Sequence, residues 1–304
     1  MTVELRPPRA EDAEQLVAAV NEFGRVKDDD RISLADAETW LGTPSLDLEQ
    51  DARVAVADGR VVGYGDVFDS SHEGLAIWAL LVANPAHGDA WPPLVNFVEA
   101  RAAALAAPGG VLQTTAPEKA LTLRNELESH GFAFYRFSLR MVAALDDELP
   151  EPEWPDGISV RVFREEDARA VYEVHEETFS DLDNYSPLSY DDWRHWSFRE
   201  PFDPGLWFLA LADGELQGIA LCRPEWNGDP GFGWLSVLGV CKPWRGRGLG
   251  LALLRHAFRE LRARGKKQVG LGVDAENATG AVGLYERAGM EVARRRLCYR
   301  KPIG

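Results

Sequence analysis

Trp234–Arg264 reads WLSVLGVCKPWRGRGLGLALLRHAFRELRAR. An apolar, strand-like run (Trp234–Val240) leads through a glycine-rich turn into a helix with an apolar period (Leu251–Arg264). Glycines at 246, 248 and 250 let main-chain N–H groups approach an anion without Cβ obstruction. The start of the following helix adds unpaired donors and a favourable dipole. Arg245 and Arg247 add positive charge, and a diphosphate is the natural guest of such a unit. The turn is not a dinucleotide fingerprint, because Leu251 stands where the last glycine would be. Nor is it a Walker A loop, since no Gly-Lys-Ser/Thr follows. Taken alone, the same residues also fit a plain glycine-rich turn with solvated arginines.

Working outward, the second half alternates strands and helices: strands at 206–212, 217–223, 234–240, 269–274 and 294–300, helices at 166–177, 250–264 and 278–288. That pattern predicts an α/β (α+β) fold with a mixed sheet and helices on its faces. The first half repeats it. Leu5-Arg6 and Glu11-Asp12-Ala13 match Val160-Arg161 and Glu166-Asp167-Ala168 at an offset of 155. Asp58-Gly59 answers Asp213-Gly214 at the same offset, each a hairpin signal between two strands. Pro85, Gly88 and Gly131 answer Pro243, Gly246 and Gly289 at 158. Between the halves, DDELPEPEWPDG (146–157) carries three prolines and six acidic residues and reads as a linker. The expected division is 1–145, a linker at 146–157, and 158–304.

Composition narrows the class. The chain has 304 residues and is 45% hydrophobic with ten Trp, enough for two cores. No stretch of about 18 apolar residues marks a membrane span. The N-terminal MTVELRPPRAED lacks the apolar run of a secretory signal, so the expected compartment is the cytoplasm. Three cysteines (Cys222, Cys241, Cys298) form neither a disulfide framework nor a zinc pair, and no metal is expected. A net charge of −16 disfavours nucleic acid as a partner. It suits a cationic substrate such as an amine, or solubility alone. Nothing indicates the oligomeric state.

On these residues the chain resembles the GNAT (GCN5-related N-acetyltransferase) superfamily. Arg245-x-x-Gly248-x-Gly250 matches its R/Q-x-x-G-x-G/A signature, and Leu238–Pro243 resembles the run into that loop. Asn277–Met290, NATGAVGLYERAGM, is close to the family's second motif, with Met290 in place of the usual Phe. The two motifs cover about fifty residues in order, and the hairpin and opening strand extend the resemblance over the second half. The whole resembles two tandem GNAT-like domains, as in the mycothiol synthase group. The resemblance implies that Leu238, Gly239 and Val240 bind the pantetheine arm of acetyl-CoA and polarise the acyl carbonyl. It implies that Arg245, Gly246, Arg247, Gly248, Leu249 and Gly250 take the pyrophosphate, that Asn277 contacts the cofactor arm, and that Tyr285 stands by the thioester sulfur.

Aminolysis of a thioester requires a neutral amine, a polarised carbonyl, two reactants held together and a proton for the departing thiolate. Tyr285 is the candidate general acid, although alone it reads as a packing aromatic. Candidates for the base are Glu225, His175, Glu176 and Glu177, or a water chain. Phe179–Phe208 is the expected lining for a small-molecule amine, with Asp181, Asp183, Tyr185, Trp193 and Trp196 (and Glu225 beyond it) as substrate residues. A tryptophan-rich core with acidic caps is an equal reading of that stretch. In the first half, His87, Ala90 and Pro92 stand for Arg245, Gly248 and Gly250, and Leu127 for Tyr285. That half is expected to keep the fold and lack acyl transfer. Two rival functions stay open: transfer to a peptide or protein amine, and a catalytically silent acyl-CoA sensor.

Overall fold

A computed structural model describes residues 3–146, 148–182, 185–276 and 280–303. In chain order the first part contains β1 (Glu4–Arg6), α1 (Ala13–Lys27), α2 (Leu34–Leu41), α3 (Leu48–Asp51), β2 (Ala52–Ala57), β3 (Arg60–Phe68) and β4 (Ala76–Ala83). Then come α4 (Trp91–Leu105), β5 (Val111–Pro117), α5 (Leu121–Ser129) and β6 (Ala133–Ala144). The second part contains β7 (Ile158–Val162), α6 (Ala168–Phe179), α7 (Tyr190–Ser197), β8 (Trp207–Ala212), β9 (Glu215–Arg223) and β10 (Phe232–Val240). It ends with α8 (Leu249–Ala263), β11 (Gln268–Asp274), α9 (Ala281–Arg287) and β12 (Glu291–Pro302).

Two compact units form, and neither is one contiguous half. Unit 1 gathers Met1–Phe137, Ser186–Glu200 and Arg295–Gly304; unit 2 gathers Ser138–Tyr185 and Pro201–Arg294. Within unit 1 the strands run β1-β2-β3-β4-β5-β12, antiparallel except for β4 beside β5. Within unit 2 they run β7-β8-β9-β10-β11-β6, antiparallel except for β10 beside β11. The orders are the same, but the sixth place is filled crosswise. Arg296–Pro302 pairs with β5, and Ser138–Ala144 pairs with β11. β6 and β12 are each 12 residues long, enough for one strand to contribute to both units. α7 joins unit 1 although its sequence lies in the second half.

The repeated sequence positions have repeated causes. Arg6 donates two hydrogen bonds to the carboxylate of Asp12, both of 2.7 Å, and the Arg9 amide donates a third. Arg161 and Arg164 do the same to Asp167, at 2.6, 2.7 and 2.8 Å. Each clamp ties the end of an opening strand to the start of the helix behind it, with bidentate geometry. The arginines hold both carboxyls below the usual aspartate range. Asp58-Gly59 and Asp213-Gly214 both adopt positive φ (48° and 74°; 51° and 83°), as two-residue hairpin turns require.

The unit 1 core packs Leu16, Val20 and Phe23 of α1 and Leu94, Val95 and Val98 of α4 against β2–β5. In unit 2, Leu253, Leu254, Ala257, Phe258 and Leu261 of α8 are buried, with Ile219, Leu221 and Val269 on the strands. The described residues of 146–157 form no helix or strand, yet they are anchored. Glu151 and Glu153 pair with Arg259 (2.6 Å) and Arg255 (2.9 Å) of α8, and the Trp154 ring meets His256 edge-on. Among the described residues no helix is long and apolar enough to cross a membrane.

The exchanged strand makes a testable demand. Tyr299 on β12 is fully buried, and its hydroxyl donates to Glu128 at 2.8 Å. Tyr299→Ala is expected to cost unit 1 about 3–5 kcal/mol. In denaturant unfolding a transition reporting on unit 1 should shift, while one reporting on unit 2 stays in place.

Candidate active site

The site begins where two parallel strands separate. β10 and β11 pair at Phe232–Trp234 with Gln268–Gly270 and no further. Opposite β9, the register of β10 slips between Leu235 and Val237, so Ser236 is an extra residue in the strand. A bulge bends its strand and strengthens the local twist. From Leu235 onward β10 keeps β9 on one side only, and its other edge is bare toward β11.

Two glycines let other elements close on this strand and its loop. A Cβ on Gly239 would lie 2.6 Å from Oγ1 of Thr178, so only glycine lets α6 pack this close. A Cβ on Gly250 would lie 3.3 Å from Leu284, where α8 meets α9. Gly246 (φ 72°) and Gly248 (φ 87°) serve differently. Nothing lies within 4 Å of a Cβ at either position, so the demand there is a left-handed backbone facing open space. Gly248 caps α8 without a side chain, and the first helical bond is Ala252 N–H to its carbonyl at 3.0 Å. The amides ahead of Ala252 in that first turn have no intrahelical acceptor. Leu249 is fully buried and seats this helix start in the core.

A cavity of about 400 Å³ is lined by Leu238, Gly239, Val240, Arg245, Gly246, Gly248, Gly250 and Tyr285, joined by Thr178, Trp244, Leu284 and Arg287. A second, of about 230 Å³, lies in the gap between the strands, with Ser236, Leu271, Val273 and Asp274 on its walls. Leu238, Thr178, Ala281 and Tyr285 line both. Tyr285 is 8% exposed, and its hydroxyl has no hydrogen-bond partner among the described residues. Burial pushes its pKa up to about 12, so it keeps its proton throughout the neutral range.

The arginines of the loop do not simply point at a guest. Arg245 donates to the Val240 carbonyl (2.9 Å) and to Asp181 (2.7 Å), and Arg247 stands 5.3 Å from the Trp244 ring. Asp181 also takes Lys242 at 2.8 Å. Lys242 and Arg245 hold its carboxyl below the usual aspartate range, so the carboxylate expected to meet an ammonium is already engaged with the loop. The other expected substrate residues are divided between the two units. The Tyr185 hydroxyl donates to Glu176. Trp193 is buried on α7 in unit 1, stacked on Tyr190, and Trp196 lines a cavity of unit 1. Glu225 lies beyond the end of β9 and lines neither cavity of the site. Asp183 and Asn277 fall outside the described residues. His175 is buried, 3.3 Å from Glu176 and stacked on Phe179.

Sequence reading missed Thr178, Ser236, Asp274 and Arg287. No motif marks Thr178, Ser236 or Asp274, because a bulge and packing between segments far apart bring them in, whereas Arg287 stands inside the second motif, two places after Tyr285. The three cysteines are buried. Burial raises the Cys222 thiol far above its ordinary value and the Cys241 thiol to about 11, which leaves little thiolate at neutral pH. Among the described residues no group of three or more His, Cys, Asp or Glu could hold a metal ion. In unit 1 the corresponding turn has His87 ahead of a short 3₁₀ segment, Ala90 fully buried and prolines in the first turn of α4. Leu127, also fully buried, stands where unit 2 has Tyr285.

The model of the Acetyltransferase (GNAT) family matches residues 168–290. A mycothiol acetyltransferase of Streptomyces avermitilis is 34% identical over 249 residues, covering 80% of this chain and 77% of the relative. One from Saccharopolyspora erythraea is 36% identical over 169 residues, about half of each chain (55% and 54%). Among solved structures, a GCN5-related N-acetyltransferase from Sphaerobacter thermophilus shares 32% identity with a TM-score of 0.76, covering 99% of this chain and 95% of its own. A tandem GNAT protein from the clavulanic acid biosynthesis pathway has the same fold, at 17% identity and a TM-score of 0.72, with 100% and 99% covered. With both motifs gathered around one cleft in unit 2, a tandem fold and these relatives, the chain belongs to the GNAT acetyltransferase family and is an acyltransferase enzyme.

Proposed function

We propose that unit 2 transfers an acetyl group from acetyl-CoA to the primary amine of a small molecule by direct attack, and that unit 1 carries out no acyl transfer. The observation that carries this reading is Tyr285, which lines both the loop cavity and the inter-strand cavity and whose hydroxyl has no partner among the described residues. Acetyl-CoA supplies the activated thioester. The amides at the start of α8, behind Gly246 and Gly248, suit its diphosphate. The bare edge of β10 at Leu238–Val240 offers main-chain groups for the pantetheine arm, as a neighbouring strand would, and an N–H for the carbonyl oxygen. Arg245 acts through position: bound to Val240 and Asp181, it fixes the loop between β10 and α8.

The lone pair of the neutral amine attacks the carbonyl carbon, the carbon–sulfur bond breaks, the Tyr285 hydroxyl gives its proton to the departing thiolate, and the nitrogen sheds its extra proton to water, from which the tyrosinate regains its own. The acid holds its proton far above neutral pH and is ready for this step. No enzyme nucleophile is required, in keeping with buried, protonated thiols. In unit 1, buried Ala90 and the prolines that open α4 occupy the corresponding cradle, and Leu127 has no proton to give. The relatives' name, mycothiol acetyltransferase, supports a small-molecule acceptor.

Tyr285→Phe is expected to lower kcat by about 10²-fold or more with little change in acetyl-CoA affinity. The readout is thiol release from acetyl-CoA across a panel of small amines. Tight binding without turnover on any amine, in the wild type as well, would instead identify a sensor. Because the acid keeps its proton to about 12, the wild-type kcat should show no decline from Tyr ionisation across the mildly alkaline range. Two substitutions separate backbone strain from charge at the cradle. Gly248→Ala places its Cβ in open space and should cost about 1 kcal/mol of stability from the left-handed backbone alone, read by thermal unfolding. Gly248→Asp adds a carboxylate where the diphosphate is placed and should abolish CoA binding in calorimetry; retained affinity refutes the placement.

A further inference from the structure

Unit 1 has a cavity of its own, of about 330 Å³, lined by Trp40, Phe68, Trp78, Leu80 and Trp196 with Asp66 at its wall. We propose that this cavity is a second small-molecule site, which takes an organic ammonium cation against the Asp66 carboxylate and between the tryptophan faces. It rests on unit 1 residues alone and is independent of the chemistry assigned to unit 2.

Asp66 lies on β3 and is 4% exposed. Its Oδ2 accepts hydrogen bonds from Trp40 Nε1 (2.8 Å) and the Tyr64 hydroxyl (2.9 Å), and its Oδ1 accepts one from the Leu80 amide (3.2 Å). An ionised carboxylate offers about four acceptor positions, so one on Oδ1 is left over. No cation pairs with Asp66 among the described residues. Burial raises its pKa to about 6, against the pull of its three donors. A buried charge with no counter-charge is costly. The three donors explain how Trp40 and Tyr64 are held in place, a task that a neutral acceptor could share. They do not explain why a carboxyl group with an acceptor position to spare stands at the wall of an aromatic cavity.

The lining selects the sign and the size of the guest. No lining side chain is basic, and Asp66 is the only acidic one. Two guanidinium groups lie next to the lining, and both have carboxylate partners. Arg296 donates to Thr115 Oγ1 (2.8 Å) and pairs with Asp29, and Arg199 stands 5.3 Å from the Trp196 ring and 3.9 Å from Asp36. Aromatic faces attract alkylammonium groups, most strongly where water is excluded. The volume falls in the range of small-ligand pockets. Trp196 is held by the anchoring of α7, where His195 Nε2 meets the Thr39 carbonyl at 2.6 Å and Asp192 accepts from the Ser45 amide at 3.2 Å. Trp196, expected from the sequence to serve the acyl acceptor, lines this unit 1 cavity.

The test is calorimetry on the full chain without CoA, at neutral pH. The probes are tetramethylammonium, phenethylammonium and tryptammonium chlorides, with neutral 2-phenylethanol as control. At least one ammonium probe should bind saturably at about millimolar concentration or below, and about tenfold tighter than the neutral control. Asp66→Asn should abolish that preference and Trp196→Ala should weaken binding about tenfold, while Gly248→Asp and Tyr285→Phe leave it unchanged. The inference is overturned if no ammonium probe saturates, if Asp66→Asn binds as the wild type does, or if Gly248→Asp removes the binding. Circular dichroism checks the fold of each variant; if Asp66→Asn does not fold, Trp196→Ala decides the question.

Discussion

The separation of β10 from β11 after three paired residues is the constraint on which the site depends. Parallel strands that stayed paired would use up the main-chain donors and acceptors of Leu235–Val240 in a ladder. The extra residue at Ser236 bends β10 off that course and leaves an edge whose main-chain groups pair with no second strand, with Arg245 taking the Val240 carbonyl. Buried main-chain groups without partners are costly, so such an edge suits a ligand that pairs with it. The loop cavity and the inter-strand cavity share Thr178, Leu238, Ala281 and Tyr285 in their walls.

The glycines around the gap look alike in sequence and differ in cause. Gly239 is required by its neighbour Thr178, while Gly250 sits close against Leu284, whose side chain would have to give slightly for a Cβ. Gly246 and Gly248 are required by their own backbone, since nothing stands near a Cβ there. Two of the loop glycines therefore shape a cradle, while Gly239 and Gly250 bring helices close enough to wall it. Arg245 shows a similar turn of role. Its charge is balanced by Asp181, and its contribution is to hold the chain between strand and helix.

The two units share a strand order and a strand-to-helix clamp, Arg6 with Asp12 and Arg161 with Asp167. They differ where chemistry would occur. Buried Ala90, the prolines opening α4 and buried Leu127 fill the first unit's counterpart of the cradle with packing residues. The cavity that unit 1 keeps lies elsewhere, beside a carboxylate on β3.

Local chemistry was legible in the sequence. The glycine-rich turn before a periodic helix, the two Asp-Gly hairpins and the repeated Arg–Asp spacing each act over a few residues, and each is found in the structure where the pattern indicates. The mixed α/β fold and the family follow from them. Contacts between segments far apart in the chain were not legible. That Ser138–Ala144 and Arg296–Pro302 complete each other's sheets, that Ser236 bulges, that Trp193 and Trp196 leave with α7, and that Asp181 is taken by Lys242 and Arg245 were decided only in three dimensions. The reason is physical: a turn type or a helix start is set by neighbouring residues, whereas a strand partner or an ion pair is chosen by whichever surface the packed chain brings within reach.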